Sequence, residues 1–243
     1  MIKALLTGHT QGLGLGIAQT LLAQGVPVLG LSRSPAAWVL PGDSAPLTET
    51  TLDLADTQAL SDWLAGGQLD SFFADATQAL LINNAGVLGP VGPLPVQTPA
   101  DVAQAVQTNV AAPMMLAAAL AQLGGHITDR RILHVSSGAG RNAYPGWSVY
   151  CATKAALDMH AQSVLEDGQA RLRICSLAPG VIDTAMQGQI RQVNKAHFPN
   201  KDRFVQLKER GELAQPQATA HKIVAYLLSP KFGSQAIEDI RSM

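Results

Sequence analysis

The stretch TGHTQGLG, residues 7–14, lies between an apolar run with strand character, Ile2–Thr7, and a run with helical spacing, Leu13–Gln24. Its three glycines let the backbone turn tightly, so that a pyrophosphate reaches amide N–H groups without meeting a Cβ atom. The helix N-terminus behind the turn adds partial positive charge. A glycine-rich match alone is weak, but its position between a strand and a helix is the context that a dinucleotide-binding loop requires. We therefore predict that a dinucleotide contacts Gly8, Thr10, Gln11, Gly12, Leu13 and Gly14.

Strand-like apolar runs alternate with helical segments along the rest of the chain. Unbroken apolar strands suit a parallel sheet covered on both faces, and regular β–α alternation implies right-handed crossovers. We predict one α/β domain over residues 1–243, a doubly wound parallel sheet of seven strands flanked by helices. The other predicted strands are Val26–Leu31, Glu49–Leu52, Ala79–Asn83, Arg131–Ser136, Leu172–Leu177 and Ala236–Ile240. The other predicted helices are Ala55–Ala65, Ala100–Leu123, Ala152–Asp167 and Gln217–Leu228.

The composition limits the class of partner. The 243 residues are 47% hydrophobic and only 14% charged, so we expect an extensive aliphatic core and a face buried against another subunit. A net charge of −1 supplies no basic surface for nucleic acid and no polybasic patch for a membrane. The uncharged run Val102–Thr128 contains Gln, Asn and Pro residues, so we expect a buried or subunit-facing helix there. The expected partners are small molecules and further copies of the chain, in a homodimer or homotetramer.

The cysteines and histidines indicate the cellular compartment of the protein and whether it binds a metal. Cys151 and Cys175 do not form a disulfide framework in a chain of this length. The apolar part of MIKALLTG is too short for a signal peptide, and we expect a cytoplasmic protein. No histidine pairs with a cysteine or carboxylate at metal-ligand spacing, so no metal site is predicted.

Two segments depart from the strand–helix rhythm. Gly86–Pro99 is rich in Gly and Pro, and Arg191–Leu213 is polar and holds a large share of the charges. Each segment is open to interpretation as a solvent-exposed loop without a function. Both, however, leave from the carboxyl end of a predicted strand, where ligands bind in open α/β sheets. We predict that residues 186–213, called the 186–213 segment below, cover the substrate.

The end of the second strand decides which dinucleotide binds. Enzymes of this architecture that use NAD carry an acidic residue there, whereas this strand ends in Ser32 and Arg33. A guanidinium pairs with a 2′-phosphate, so NADP(H) is the predicted cofactor. The alternative is that Arg33 is only a solvated surface residue. Further cofactor contacts are predicted at the ends of the next two strands, at Asp53, Leu54, Asn84, Ala85 and Gly86.

Tyr150 and Lys154 lie one turn apart on one face of a predicted helix. The spacing is common by chance, so it needs support from elsewhere. Ser137 follows the fifth predicted strand, and Asn109 places a polar amide in an apolar helical segment. A free phenol has a pKa near ~10, and a nearby ammonium or nicotinamide cation lowers it toward a useful range.

Taken together, TGHTQGLG, NNAG, Asn109, Ser137, Tyr150-x-x-x-Lys154 and Pro179-Gly180-x-x-x-Thr184 resemble the short-chain dehydrogenase/reductase family over nearly the whole chain. The resemblance implies a Rossmann fold with strand order 3-2-1-4-5-6-7. It also implies a catalytic tetrad of Asn109, Ser137, Tyr150 and Lys154. In that tetrad Tyr150 is the acid/base, and Ser137 polarises the substrate carbonyl. Lys154 binds the nicotinamide ribose and lowers the pKa of the tyrosine, and Asn109 supports a proton relay. Pro179, Gly180, Ile182 and Thr184 are expected at the nicotinamide amide.

A narrower resemblance concerns the substrate. Gly146-Trp147, Tyr150-Cys151-Ala152, the run 178–187 and the tail 232–239 resemble sepiapterin reductases and benzil-reductase-like enzymes. The resemblance implies an NADPH-dependent reductase of a carbonyl or vicinal dicarbonyl. In sepiapterin reductases a carboxylate near the C-terminus holds the pterin, and Asp239 falls at that place, with Glu238 as an alternative. Substrate contacts are therefore expected at Ser137, Trp147, Tyr150, Met186 and Asp239. The predicted enzyme is sepiapterin reductase-like, and a benzil or other diketone reductase, or another short-chain alcohol dehydrogenase, is the alternative. The pocket composition does not separate a pterin from an aromatic diketone, and a catalytically silent NADP(H) sensor is the remote alternative.

Overall fold

The computed structural model describes residues 1–39 and 42–243, and within them seven parallel strands form one sheet in the order β3-β2-β1-β4-β5-β6-β7. The predicted fold class and strand order are confirmed. The strands are β1 (Ile2–Thr7), β2 (Val28–Ser32), β3 (Leu47–Thr51), β4 (Gln78–Asn83), β5 (Asp129–Val135), β6 (Leu172–Ala178) and β7 (Ile237–Asp239).

Helices cover both faces of this sheet. They are α1 (Gly12–Ala23), α2 (Thr57–Ala65), α3 (Gln68–Phe73), α4 (Pro99–Val106), α5 (Ala112–Gln122), α6 (Ser148–Glu166), α7 (Ala185–Gln192), α8 (Lys201–Glu209) and α9 (Pro216–Leu228). No helix in the described part of the chain is long and apolar enough to span a bilayer.

The sheet separates two hydrophobic cores. Leu6 of β1 packs with Ile17 of α1 and Ile223 of α9 on one face. Its neighbour Leu5 packs on the other face with the residues of α2, α5 and α6, among them Leu116. Neighbouring strand residues point to opposite faces, so an unbroken apolar strand contributes to both cores. Each of these fully buried aliphatic side chains contributes about 1.5–3 kcal/mol relative to an exposed one.

The predicted helix Ala100–Leu123 is wrong as one continuous helix. It is divided into α4 and α5 by a π-helical turn, Gln107–Ala111. Pro113 lacks the N–H that would bond the carbonyl of Asn109 in an α-helix, so the ladder is interrupted at this point. The turn is also fixed from outside, because the Asn109 amide exchanges two hydrogen bonds of 2.8 Å with the backbone of Val87.

Other element bounds differ less from the predictions. β2 begins at Val28 and not at Val26, and the intervening Pro27 has no N–H to offer a neighbouring strand. The short helix α3 was not predicted. The polar part of the 186–213 segment contains α8, whose Phe204 is buried while most of its other side chains are exposed or half-buried.

Candidate active site

The glycine loop is tied to the neighbouring strand β4. Asn84 Nδ2 donates to the carbonyl oxygens of Thr7 (3.0 Å) and Gly8 (3.1 Å), and Thr7 Oγ1 accepts from the backbone N–H groups of Asn84 and Ala85. Gly8 has a φ of +70°, which a side chain disfavours. A Cβ atom on Gly14 would lie 2.0 Å from the carbonyl oxygen of Gly8. The loop can therefore act as a cradle for a ligand, because Gly8 and Gly14 have no side chains that would cover its backbone.

A cavity of about 970 Å³ extends from this loop along the carboxyl edge of the sheet. Its wall contains all of the residues predicted to bind the cofactor. These are Gly8, Thr10, Gln11, Gly12, Leu13, Gly14, Ser32, Arg33, Asp53, Leu54, Asn84, Ala85, Gly86, Tyr150, Lys154, Pro179, Gly180, Ile182 and Thr184. Residues from positions 8 to 184 thus meet in one elongated cleft, which suits an extended ligand such as a dinucleotide.

The cleft wall next to β2 is cationic. Arg33 is exposed there and forms no salt bridge with any described residue. The carboxylate of Glu49, on the adjacent strand β3, is turned away from the cleft: it bonds His9 Nε2 (2.6 Å) and the N–H of Ala36 (2.8 Å). Burial opposes ionisation of Glu49, but these two hydrogen bonds outweigh it and hold its pKa below the ordinary value. Among the described residues, Asp53 is the one carboxylate on the cleft wall.

The reaction centre is built at the start of α6. Because α6 begins at Ser148, Tyr150 lies in its first turn and Lys154 one turn further on. Lys154 Nζ donates to the carbonyl oxygen of Val135 at the end of β5 (2.8 Å) and lies 5.7 Å from the centroid of the Tyr150 ring. Ser137 follows β5 directly, and its Oγ accepts from the N–H of Ala139 (3.1 Å). The tyrosine, lysine and serine that the sequence singled out all lie on the cleft wall.

Burial dominates the proton affinities at this centre. It raises the pKa of Tyr150 to about 12, against an opposing contribution from the Ser137 hydroxyl. Burial also lowers the pKa of Lys154 to about 8, and the negative charge of Asp158 opposes this change. Burial thus sets the direction of the Tyr150 pKa here, and the expectation that Lys154 and a bound nicotinamide lower this pKa stays a prediction. At neutral pH the tyrosine is held as the protonated phenol.

Asn109 lies behind the cleft wall and not on it. Besides its two bonds to Val87, its Nδ2 donates to Thr153 Oγ1 (3.2 Å), and that hydroxyl donates to the carbonyl of Tyr150 (2.9 Å). A Cβ atom on Gly86 would lie 3.3 Å from Asn109 Oδ1 and 3.7 Å from Lys154 Nζ. Asn109 thus connects the π turn to the helix that carries the reaction centre, and its predicted part in a proton relay stays a prediction.

An aromatic pocket lies beside Tyr150. The Trp147 ring stacks on Phe198 with centroids 4.4 Å apart, and it contacts Tyr150 edge-on at 5.5 Å and Phe204 at 5.4 Å. The cleft wall on this side also contains Met186, as predicted, from α7. The 186–213 segment therefore forms part of the wall next to the reaction centre.

Gly146 packs against the backbone of the 186–213 segment next to this pocket. Its φ is +83°, and a Cβ atom there would lie 2.1 Å from the carbonyl oxygen of His197. Its own carbonyl accepts from the N–H of Gly92 (2.9 Å). The Gly-Trp pair before the tyrosine thus packs directly on the 186–213 segment. The sequence marked the pair only by resemblance.

Asp239 is not placed on the cleft wall, and sequence reasoning missed the residue that is. The Asp239 carboxylate accepts from Arg241 Nε (2.8 Å) and Arg241 Nη2 (2.6 Å), and also from the N–H of Arg241 (3.0 Å). It is Arg241 that lines the cleft, with its side chain packed over Gly180. Arg241 lies in the 3₁₀ turn Ile240–Ser242 directly after β7, and this turn brings its backbone N–H and its guanidinium to the Asp239 carboxylate. Other wall residues that the sequence did not single out include Asn142, Tyr144 and Arg203.

Known proteins resemble this chain over most of its length. The short chain dehydrogenase family model matches residues 3–195. A benzil reductase ((S)-benzoin forming) from Bacillus cereus is 34% identical over 96% of this chain and 96% of its own length. A sepiapterin reductase from Xenopus tropicalis is 30% identical over 96% of this chain and 94% of its own. The crystal structure of a short-chain dehydrogenase/reductase from Burkholderia vietnamiensis is 46% identical, covers 100% of this chain and 99% of its own, and superposes with a TM-score of 0.70.

These matches and the cleft define an oxidoreductase that uses a nicotinamide dinucleotide and acts on the carbonyl or hydroxyl group of a small molecule. The chain belongs to the short-chain dehydrogenase family.

Proposed function

We propose that this chain is an NADPH-dependent reductase of ketones and vicinal dicarbonyls, and that its preferred substrate is an aromatic 1,2-diketone. The observation that carries the proposal is the position of a protonated phenol, Tyr150, between the dinucleotide cleft and the aromatic pocket around Trp147. A proton donor at this place serves reduction, because the alkoxide that forms on hydride transfer needs a proton at once.

Each residue of the cleft has a separate role in the proposed reduction. NADPH supplies the hydride when it is bound. The glycine loop holds the pyrophosphate through backbone N–H groups, and Lys154 holds the nicotinamide ribose. Ser137 donates a hydrogen bond to the substrate carbonyl oxygen, and Tyr150 delivers the proton to it. Ile182 and Thr184, on the wall near the reaction centre, orient the nicotinamide amide.

The charges near β2 support the proposed preference for NADPH over NADH. Arg33 offers a guanidinium that pairs with a 2′-phosphate in two hydrogen bonds. Glu49, whose charge would repel that phosphate, is engaged by His9 and Ala36. Ser32 contributes a hydroxyl at the same edge, held by a bond of 2.5 Å to the carbonyl of Ser34.

The pairing of Asp239 with Arg241 supports the diketone over a pterin. A carboxylate that grips an amino-pyrimidine edge must present both oxygens to the substrate. Here both oxygens of Asp239 accept from Arg241. The cleft wall beside Tyr150 instead includes the apolar side chains of Trp147 and Phe204, which suit a phenyl ketone. A pterin substrate remains the second candidate because of the sepiapterin reductase relatives.

The proposal is tested by following NADPH oxidation with benzil, with sepiapterin and with an aliphatic diketone. We expect turnover of benzil, slower or no turnover of sepiapterin, and a loss of about 10³-fold or more in Tyr150→Phe, which keeps the ring but lacks the proton. Micromolar NADPH binding without turnover of any dicarbonyl would refute the reductase. A Tyr150→Phe protein with the full rate would refute the mechanism.

We also propose that the protein is cytoplasmic and homo-oligomeric. Both cysteines are free thiols, which suits a reducing compartment. The exposed apolar side chains Val106 of α4 and Met159 of α6 support a helix-pair interface. Light scattering on the purified protein gives the mass, and a monomer at micromolar concentration would refute the oligomer.

A further inference from the structure

Asp158 is a buried carboxylate that the mechanism above does not use. It lies on α6 one turn beyond Lys154 and two turns beyond Tyr150, so the three side chains follow one stripe of the helix. It is only 5% exposed. A carboxylate at such a depth requires several hydrogen bonds to be tolerated.

The partners of Asp158 come from three other segments. Its Oδ1 accepts from the hydroxyls of Ser136 (2.7 Å), at the end of β5, and Ser176 (2.6 Å) in β6. Its Oδ2 accepts from Arg141 Nε (3.1 Å), and the same guanidinium donates to the carbonyl of Glu238 in β7 (3.1 Å). One carboxylate thus connects α6, the last three strands of the sheet and the turn that follows Ser137.

The turn itself is packed against α6 beside Asp158. It comprises the 3₁₀ residues Gly138–Gly140. A Cβ atom on Gly140 would lie 2.9 Å from the backbone carbon of Lys154 and 3.0 Å from Asp158 Oδ2. The absence of a side chain lets the turn approach the helix closely, and Arg141 then closes the contact. Ser137 directly precedes this turn and caps it, because its Oγ accepts from the N–H of Ala139.

We propose that Asp158 is a positioning residue of the reaction centre: its carboxylate fixes the turn that follows Ser137 and places a negative charge one helical turn from Lys154. The proposal rests on the proposed reductase function. It makes Asp158 the third member of the stripe Tyr150–Lys154–Asp158, acting through Lys154 and through the turn next to Ser137.

The charge of Asp158 acts on the pKa of Lys154 in one direction. Burial pushes Lys154 toward its neutral form and lowers its pKa to about 8, while the charge of Asp158 favours the ammonium. The other groups that face Lys154 are Tyr150, which stays neutral, and His134 of β5, whose pKa burial lowers to about 3. Arg141 is positive and lies on the other side of Asp158. Among these groups, Asp158 is the one that supports the charge of Lys154.

The direct test needs no substrate. The pKa of Lys154 is measured by NMR titration of ¹³C-labelled lysine side chains, with the signal assigned by its loss in Lys154→Met. In Asp158→Asn, which keeps the shape, we expect the midpoint to fall by about one pH unit. In Arg141→Gln, which removes the opposing charge, we expect it to rise. Ser176→Ala is the matched control, because it removes a hydrogen bond to Asp158 and no charge, and its midpoint should stay near that of the wild type.

The kinetic arm measures kcat/KM for NADPH-dependent diketone reduction against pH. In Asp158→Asn the alkaline limb should move down with the NMR midpoint, and the plateau should fall about tenfold because Ser137 is less well held. A uniform loss of rate with an unmoved midpoint and limb would overturn the proposal, since a merely structural residue behaves in that way. If Asp158→Asn does not fold, an unmoved midpoint in Arg141→Gln overturns it. If the wild type turns over no dicarbonyl, the proposed function fails while the NMR arm still decides the role of Asp158.

Discussion

The substitution Lys154→Met should remove a charge penalty that the folded chain bears near neutral pH and that vanishes at high pH. Methionine has nearly the length of lysine and carries no charge. Burial lowers the pKa of Lys154 from 10.5 to about 8. Keeping Lys154 charged therefore lowers the free energy of unfolding. This penalty is complete below about pH 8 and is absent above about pH 10.5, where the unfolded chain also releases the proton. The penalty at pH 7 is about 3 kcal/mol.

The change of stability with pH isolates this charge. Removing the bond from Lys154 Nζ to the Val135 carbonyl costs about 1–3 kcal/mol, and this loss offsets part of the gain at neutral pH. That loss varies little with pH, whereas the charge penalty falls by about 2–3 kcal/mol between pH 7 and pH 10. We therefore expect the free energy of unfolding of Lys154→Met minus that of the wild type to decrease by about 2–3 kcal/mol over this interval.

Urea denaturation followed by tryptophan fluorescence supplies the measurement at several values of pH. Lys222→Met is the matched control, because Lys222 is exposed on α9 and keeps its hydration on folding. The control difference should be flat. A Lys154→Met difference that is equally flat would show that the lysine is not held charged at a cost, and the account of the reaction centre given above would be wrong.

Three further substitutions test the cleft. Gly14→Ala places a Cβ atom 2.0 Å from the Gly8 carbonyl oxygen, so NADPH affinity, measured by fluorescence titration, should fall at least about tenfold; unchanged affinity would contradict the cradle. Arg33→Glu should lower the ratio of kcat/KM for NADPH over NADH by about tenfold or more, and an unchanged ratio would mean that Arg33 does not contact the 2′-phosphate. Gly146→Ala forces a Cβ atom to within 2.1 Å of the His197 carbonyl and should raise the KM for diketone more than that for NADPH; equal effects on both would argue against a substrate pocket at this place.

The features that sequence predicted well are those fixed by local pattern. The strands of the sheet are unbroken apolar runs, and their order follows from the family resemblance. Tyr150, Lys154 and Ser137 could be found because their order along the chain is shared by the family. The glycine loop could be derived from its place between β1 and α1, since it is the geometry of that turn which excludes side chains.

The features that sequence did not predict depend on tertiary packing. The π turn was missed although Pro113 signals it, because the outcome also depends on Val87, twenty-two residues before Asn109. The rise in the pKa of Tyr150 follows from burial, which the sequence does not give. The pairing of Asp239 with Arg241 competes with substrate contact, and the choice between the two depends on how the end of β7 meets Gly180.

The contact between Gly146 and the 186–213 segment has a consequence for exchanging substrate preference among relatives. A chimera that replaces only residues 186–213 brings a foreign backbone against Gly146 and a foreign side chain against the face of Trp147, which now stacks on Phe198. The transplantable unit is therefore discontinuous, and it includes Gly146 and Trp147, which directly precede α6. Recombination at boundaries chosen from the linear sequence would separate two halves of one pocket.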